Sequence, residues 1–258
     1  MSNVSISTSN LTIGYPGRIV QHSLSLDLRE GEMVCMLGPN GCGKSTLLRT
    51  LAGLQPALSG TVRLRDTDLA LLAANERAKL LALVLTERLS LENTSVYDVV
   101  ALGRHPYTSF LGTLTDDDHH IIRSALQDVA FLPTRDDMEC ATHLSTFNSL
   151  SDGEKQRVLI AKALAQQTPV ILLDEPTAHL DLPNRIRMLQ LLRRLAHEQG
   201  KTILISTHEL DIAIQLSDRI LLLSANGAAL DTADNLCAQD AFTHAFGMDI
   251  FHPLNNTL

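Results

Sequence analysis

A glycine-rich segment at residues 38–46 constrains the fold more than any other part of the chain. It matches the pattern GxxxxGK[ST], and it lies between a short apolar run, Met33–Leu37, and a segment with helical spacing, Ser45–Ala52. Glycines let such a loop curl so that several backbone N–H groups point at one anion, and the following helix adds the positive end of its dipole. The order strand, loop, helix therefore predicts a phosphate-binding loop. Its residues are Gly38, Pro39, Asn40, Gly41, Cys42, Gly43, Lys44, Ser45 and Thr46.

Two side chains of this loop indicate what kind of ligand it holds. Lys44 offers a point charge to the β and γ phosphates of a nucleoside triphosphate, and the Ser45 hydroxyl offers an oxygen ligand to Mg²⁺. The guanine-specific motif NKxD is absent from the sequence, which argues against a GTPase.

Further apolar runs of four or five residues, each bounded by polar or turn residues, have the pattern of buried parallel strands. They are Val170–Leu173, Thr202–Ile205 and Arg219–Leu223. Segments with helical spacing, Pro183–Gln199 and Glu209–Leu216, follow the first two of these runs. Alternation of strand and helix predicts a parallel α/β sheet.

Two regions depart from this alternation. The first thirty residues are rich in Ser, Thr and β-branched types, with strand-like alternation that predicts additional antiparallel strands. From about Glu87 to Gln167 the helical segments Val96–Gly103, Asp116–Phe131 and Gly153–Gln167 occur without a clear strand pattern. We therefore expect a helical insertion within the α/β core.

A pair of acidic residues follows the apolar run Val170–Leu173. Asp174 and Glu175 come directly after Val170–Leu173, so a strand there would deliver both carboxylates to the edge of the sheet that carries the phosphate loop. Asp174 is then placed to hold Mg²⁺, directly or through water, and Glu175 to orient and deprotonate an attacking water. The chemistry predicted is hydrolysis of a nucleoside triphosphate.

About twenty residues before the acidic strand, Leu150–Arg157 reads LSDGEKQR and resembles the LSGGQ signature of ABC transporter ATPase subunits. The loop, signature and acidic strand occur in that family's order and spacing, and the resemblance covers roughly Val4 to Phe246, leaving a tail at residues 247–258. It implies a phosphate-loop α/β core with an N-terminal antiparallel β subdomain and an inserted helical subdomain. It also implies ATP as the nucleotide and a homodimer that encloses two ATP molecules. Ser151, Gly153 and Glu154 would contact the ATP bound by the partner subunit.

The same resemblance assigns roles to further positions. Tyr15 corresponds to the aromatic residue that stacks on adenine, His208 to the histidine that contacts the γ-phosphate, and Leu180–Asp181 to a loop that touches the partner. The family normally has a glutamine near Val84-Leu85-Thr86-Glu87, where this chain offers Glu87 or, less readily, Thr86. The expected catalytic residues are Glu175, His208 and Lys44, and the expected metal ligands are Ser45, Asp174 and Glu87.

Two short strings narrow the resemblance to one group of importers. Ala101–Tyr107 contains a GR-x-P segment, and this string and His179–Arg185 resemble importers for ferric siderophores, haem and cobalamin. The resemblance implies integral-membrane permease subunits as partners and, indirectly, an extracytoplasmic substrate-binding protein. The expected location is the cytoplasmic face of the inner membrane, peripheral through the permease. The alternatives are an ABC ATPase of an importer for another solute, or a soluble ABC ATPase without a transport role.

Composition bears on the second alternative. Asp and Glu total 29 against 21 Lys and Arg, a net charge of −8, and aromatic residues make up 3% of the chain. Nonspecific binding to nucleic acid depends on neutralising phosphates and stacking bases, so we expect no nucleic-acid partner. No run of about 18 apolar residues occurs, Met1–Asn10 lacks the features of a signal peptide, and the four cysteines are spaced as free thiols.

Overall fold

The computed structural model of the chain describes residues 3–86, 93–109, 112–131, 146–178, 180–225 and 227–247. The strands are β1 (Val4–Tyr15), β2 (Arg18–Leu24), β3 (Asp27–Arg29), β4 (Met33–Leu37), β5 (Ser59–Leu64), β6 (Thr67–Asp68), β7 (Leu81–Val84), β8 (Val170–Asp174), β9 (Thr202–Ser206), β10 (Arg219–Ser224) and β11 (Gly227–Asp231). The α-helices are α1 (Lys44–Leu51), α2 (Ala74–Leu80), α3 (Val96–Ala101), α4 (Asp116–Asp128), α5 (Asp152–Ala165), α6 (Leu182–Gln199), α7 (Leu210–Leu216), α8 (Ala233–Ala238) and α9 (Ala241–Phe246). Short 3₁₀ segments lie at Leu69–Leu71, Leu102–Tyr107 and Phe147–Ser149.

The core is a six-stranded sheet in the order β11-β10-β4-β9-β8-β7, parallel except for β11. Every residue of β4, β8 and β9 is buried, which explains why these strands are continuous apolar runs. The four strands predicted from such runs are confirmed. The edge strands β7 and β11 were not predicted.

A second sheet covers one side of the core. Its order is β2-β1-β5-β6, with β3 paired to β1, and all its pairings are antiparallel. The antiparallel strands predicted in the first thirty residues are confirmed, and β5 and β6 join them from later in the chain. The apolar residues of this sheet and those on α1 share one buried cluster with one face of the central sheet.

The described residues between 93 and 165 form helices, and their only strand-like contact is an isolated bridge between Ser95 and Thr146. The predicted helical insertion is therefore confirmed for these residues. The helices α3 and α4 both pack against α5. The element at Val96–Gly103 is α-helical only to Ala101 and continues as a 3₁₀ segment to Tyr107, and α4 ends at Asp128 rather than Phe131.

The GR-x-P segment anchors this insertion. A Cβ atom on Gly103 would lie 2.3 Å from the carbonyl oxygen of Lys162, so only glycine permits this approach to α5. The buried Arg104 donates from Nε to Asp118 at 2.7 Å and from a terminal nitrogen to the carbonyl of Ala165 at 2.8 Å. The Tyr107 ring lies against the same guanidinium, 4.3 Å from its central carbon. The string Ala101–Tyr107 thus holds the helices of the insertion together through close packing and a buried ion pair.

The buried Arg104–Asp118 ion pair is expected to contribute to the free energy of unfolding. Asp118 accepts hydrogen bonds from the Thr115 backbone N–H and from Arg104, and these hold the pKa of its carboxyl at about 2. Asp118→Asn leaves a buried guanidinium without its counter-charge, which should lower the free energy of unfolding by about 3–5 kcal/mol near neutral pH. Because the folded-state pKa is depressed, this stabilisation is present above about pH 4 and declines as the pH falls towards 2.

Urea unfolding of both proteins at several pH values between 7 and 2 checks this expectation. The difference in unfolding free energy between wild type and Asp118→Asn should narrow as the pH falls. Asp117→Asn, an exposed change in the same helical turn, is the control and should leave stability nearly unchanged. A difference that stays constant down to pH 2 contradicts the role assigned to the ionised Asp118.

Candidate functional site

The glycine-rich segment forms a loop between β4 and α1, as predicted. The Lys44 side chain is buried, and its ammonium donates to the carbonyl oxygens of Gly38 at 2.8 Å and Pro39 at 3.3 Å. Helix α1 begins at Lys44 with no side-chain cap on its first turn, while Ser45 is exposed there. This end of the helix offers N–H groups, a cation and a hydroxyl to an anion.

The shape of the loop depends on glycine at two positions. Gly43 has φ 108°, which L-residues avoid, and a Cβ atom there would lie 2.5 Å from Cγ1 of Val20 in β2. A Cβ atom on Gly38 would lie 2.5 Å from the carbonyl oxygen of Leu223 in β10. The loop is therefore pressed between the antiparallel sheet and the core.

Gln21, which no local sequence pattern marks, ties these parts together. Its buried side-chain amide donates to the carbonyl oxygens of Cys42 at 2.9 Å and Ser224 at 2.7 Å. The hairpin of β1 and β2 that carries Gln21 also carries Tyr15 at its turn, with Tyr15 paired to Arg18. The Tyr15 side chain is 47% exposed, so its ring is open to a stacking partner.

The other predicted residues share an edge with the loop because β4, β9 and β8 are parallel neighbours. The loop follows β4, His208 follows β9, and Asp174 and Glu175 lie at the end of β8. Parallel strands end at the same edge, so Lys44, His208, Asp174 and Glu175 belong to one edge of the sheet.

Asp174 is held at both its side chain and its main chain. Oδ1 of this buried carboxylate accepts from the Ser206 hydroxyl at 2.5 Å, and its carbonyl oxygen accepts from the Thr86 hydroxyl at 3.0 Å. Thr86, the alternative considered for the family's glutamine, thus contacts the backbone of the acidic strand. Glu87, the preferred candidate, lies outside the described residues.

Glu175 turns out of the strand and meets His208. Its φ is 45°, and its N–H is shared between the Ser206 carbonyl at 3.2 Å and the Ser206 hydroxyl at 3.0 Å. Oε1 of Glu175 lies 2.7 Å from Nε2 of His208, and both side chains are partly exposed. A carboxylate and an imidazole in hydrogen-bond contact can accept and hold a proton.

The signature segment forms the start of α5. Ser151 is the N-cap, and its hydroxyl and N–H both donate to Glu154 at 2.7 and 2.9 Å, completing a capping box. The Ser151 hydroxyl and then its N–H lower the pKa of the Glu154 carboxyl. Gly153 lies in the same first turn. Glu154, a departure from the usual glutamine, therefore serves locally as a capping residue of α5.

The donor set at the edge suits one metal in particular. Ser45 offers a hydroxyl and Asp174 a carboxylate, both hard oxygen ligands. Mg²⁺ is bound in this way, through one or two protein oxygens completed by substrate phosphates and water. The residues present therefore fit Mg²⁺ with a phosphorylated substrate.

A phosphate-binding loop and a carboxylate–imidazole pair at one edge of a parallel sheet define a phosphate-loop nucleotide hydrolase. The family model described as ABC transporter matches residues 21–178. The chain belongs to the ABC transporter family, and it is an ATP-hydrolysing subunit with the fold of the ABC cassette.

Individual relatives agree with this assignment. The iron(3+)-hydroxamate import ATP-binding protein FhuC of Bacillus subtilis is 35% identical, over 95% of this chain and 88% of its own. A transporter described as of the metal-chelate type, solved inward-facing, superposes with a TM-score of 0.78 at 30% identity, over 95% of this chain and 90% of its own. The ATP-binding cassette MJ0796, solved as a post-hydrolysis dimer with ADP and Pi, has a TM-score of 0.75 at 27% identity, over 88% of this chain and 98% of its own.

Within the described residues, none of the helices combines the length and the apolar character needed to cross a bilayer. The described cysteines, at positions 35, 42 and 237, are free thiols, as the spacing of cysteines predicts.

The loop makes a steric prediction with a matched pair of variants. A Cβ atom on Gly41 meets nothing within 4 Å, although φ there is 77°. Gly41→Ala should therefore lower the free energy of unfolding by only the backbone term, about 1–2 kcal/mol. Gly38→Ala also drives a Cβ atom into the Leu223 carbonyl, which should add roughly 1–3 kcal/mol. Urea midpoints compare the two variants, and equal losses would contradict the close approach of β10 to the loop.

Proposed function

We propose that the protein works as a homodimer that hydrolyses ATP to power a membrane permease, importing an iron-siderophore, haem or cobalamin-type chelate. The observation that carries the proposal is the edge of the sheet where Lys44, Asp174, Glu175 and His208 come together. The protein would lie at the cytoplasmic face of the inner membrane, held there by its permease. An extracytoplasmic substrate-binding protein would deliver the solute from the other side.

In this proposal the residues of the edge divide the chemistry among them. The loop N–H groups and Lys44 bind the β and γ phosphates of ATP, and Tyr15 stacks on adenine. Ser45 and Asp174 hold Mg²⁺, which when bound neutralises phosphate charge. Glu175 orients the attacking water and accepts its proton. His208 holds the Glu175 carboxylate through the hydrogen bond of 2.7 Å and contacts the γ-phosphate.

The signature residues would serve the nucleotide of a second subunit. Ser151, Gly153 and Glu154 begin α5 in the helical insertion, and among the described residues no hydrogen bond joins Ser151 or Glu154 to residues 38–46. A helix N-terminus is an anion site, and the loop already has its own in α1. A head-to-tail homodimer gives the second site a γ-phosphate to bind. The MJ0796 cassette, solved as a dimer with ADP and Pi, supports a dimer as the working form.

The solute class is supported by the relatives and by the GR-x-P segment. FhuC is named for iron(3+)-hydroxamate import, and the inward-facing structure is described as of the metal-chelate type. An importer for another solute, or a soluble ABC ATPase, is the competing reading. Co-purification of the chain with a polytopic permease distinguishes transport from a soluble role, and uptake of a labelled ferric siderophore by cells carrying that permease tests the solute.

The first test separates binding from hydrolysis. Lys44→Ala removes the positive charge that binds the β and γ phosphates, and it should abolish ATP binding measured by calorimetry. Glu175→Gln keeps a hydrogen-bonding side chain beside His208 and should retain binding, yet lose about 10²–10⁴-fold in turnover because the base is gone. Glu198→Gln, on an exposed position of α6, is the control and should hydrolyse ATP like the wild type. Turnover that survives in both Lys44→Ala and Glu175→Gln would sink the assignment.

The second test addresses the dimer. With ATP, the Glu175→Gln protein should accumulate as a dimer in light scattering, because the nucleotide that joins the subunits is not hydrolysed. Adding Ser151→Arg places a bulky cation at the start of α5 and should return the protein to the monomer. Ser124→Arg, an exposed position on α4, should leave the dimer intact. Two results together would contradict the shared site. They are a Glu175→Gln protein that stays monomeric at saturating ATP, and a Ser151→Arg single variant that hydrolyses ATP like the wild type.

A further inference from the structure

Ser206 is the last residue of β9, is fully buried, and is paired with Asp174 across the parallel ladder to β8. Its hydroxyl donates to Oδ1 of Asp174 at 2.5 Å and accepts the backbone N–H of Glu175 at 3.0 Å. One side-chain oxygen therefore contacts both residues of the acidic pair, on the strand that neighbours theirs.

The contact with Asp174 restricts a carboxylate that would otherwise rotate. A hydroxyl has one proton, and here that proton is committed to Oδ1. Among the described residues Oδ2 accepts no hydrogen bond, so it is the more available oxygen for a metal ion, while Thr86 holds the carbonyl oxygen of the same residue at 3.0 Å. The side chain and the main chain of Asp174 are thus fixed from two neighbouring segments.

The contact with Glu175 supports an unfavourable backbone conformation. Glu175 has φ 45°, in the left-handed region that L-residues avoid. Its N–H is shared between the hydroxyl and the carbonyl of Ser206, at 3.0 and 3.2 Å. This conformation ends the alternation of side chains along β8, and the Glu175 carboxylate meets His208.

We propose that Ser206 is a positioning residue that orients Asp174 as a metal ligand and holds Glu175 in the conformation from which it reaches His208. The proposal rests on the proposed function, because it takes Asp174 as the Mg²⁺ ligand. Partners that orient metal ligands typically account for 10- to 100-fold in metal affinity. Removing the Ser206 hydroxyl should therefore weaken metal binding far more than it weakens binding of the nucleotide itself.

The experiment measures metal binding without catalysis. Mn²⁺, detected by electron paramagnetic resonance, replaces Mg²⁺, and a non-hydrolysable ATP analogue saturates the site. Ser206→Ala should weaken Mn²⁺ binding about 10- to 100-fold. Its affinity for the analogue in EDTA should stay within about twofold, since the loop and Lys44 bind phosphates without the metal. Ser206→Thr keeps the hydroxyl and should restore Mn²⁺ binding.

Thr202→Val is the matched control. Thr202 begins the same strand, is also fully buried, and its hydroxyl donates to the carbonyl of Arg29 at 2.9 Å, at the end of β9 away from the site. This variant also removes a fully buried hydroxyl from β9, and it should bind Mn²⁺ like the wild type.

If Ser206→Ala does not accumulate as folded protein, Ser206→Cys replaces it, because a thiol fits the space but donates weakly.

Each outcome decides the proposal. Unchanged Mn²⁺ affinity in Ser206→Ala or Ser206→Cys overturns it, and so does an equal loss in Thr202→Val, which would mark a general loosening of the strand. Failure of Ser206→Thr to restore Mn²⁺ binding also counts against it. A wild-type protein that binds the analogue in EDTA but retains no Mn²⁺ refutes the metal site of the proposed function, and the Ser206 proposal falls with it.

Discussion

The hydrogen-bonded register of β4, β9 and β8 is the constraint on which the functional edge depends. In these parallel ladders Ser206 is the partner of Met36 on one side and of Asp174 on the other. The loop, the histidine and the acidic pair come from distant parts of the chain, and only this register brings them to one edge. A slip of one residue would send the side chains of a strand to the opposite face, so the site keeps its geometry only while this register holds.

Specific contacts hold the helices of the insertion to one another, and a further contact at the end of α5 ties the insertion to the rest of the fold. Gly103 lets the chain approach α5, and Arg104 joins the 3₁₀ segment to α4 and α5. At the end of α5, the Gln166 amide donates to the carbonyl oxygens of Ala78 at 2.5 Å and Leu81 at 3.1 Å. The insertion is thereby tied to α2 and to the start of β7, the strand that precedes it in the chain.

Local sequence patterns predicted the buried strands and the phosphate-binding loop, because neighbouring residues determine both. The strands β4, β8, β9 and β10 are short apolar runs, and the loop carries its own glycine and lysine spacing. β7 was missed because its apolar run continues directly from α2 with no turn between them. Ser206 and Gln21 were missed because their importance lies in partners on other strands, which no local pattern reveals. Glu154 was recognised as a departure from the signature, and its capping role became clear only from the helix it begins.

The Gln21 amide donates to a residue 203 positions further along the chain and so links β2 to the end of β10. The strand that leads into the phosphate loop is likewise flanked by β9 and β10, both from the last quarter of the sequence. During synthesis the loop leaves the ribosome well before β9 and β10, the strands that flank β4 and give the loop its shape. The nascent protein therefore carries an unfinished nucleotide site until β9 and β10 have emerged.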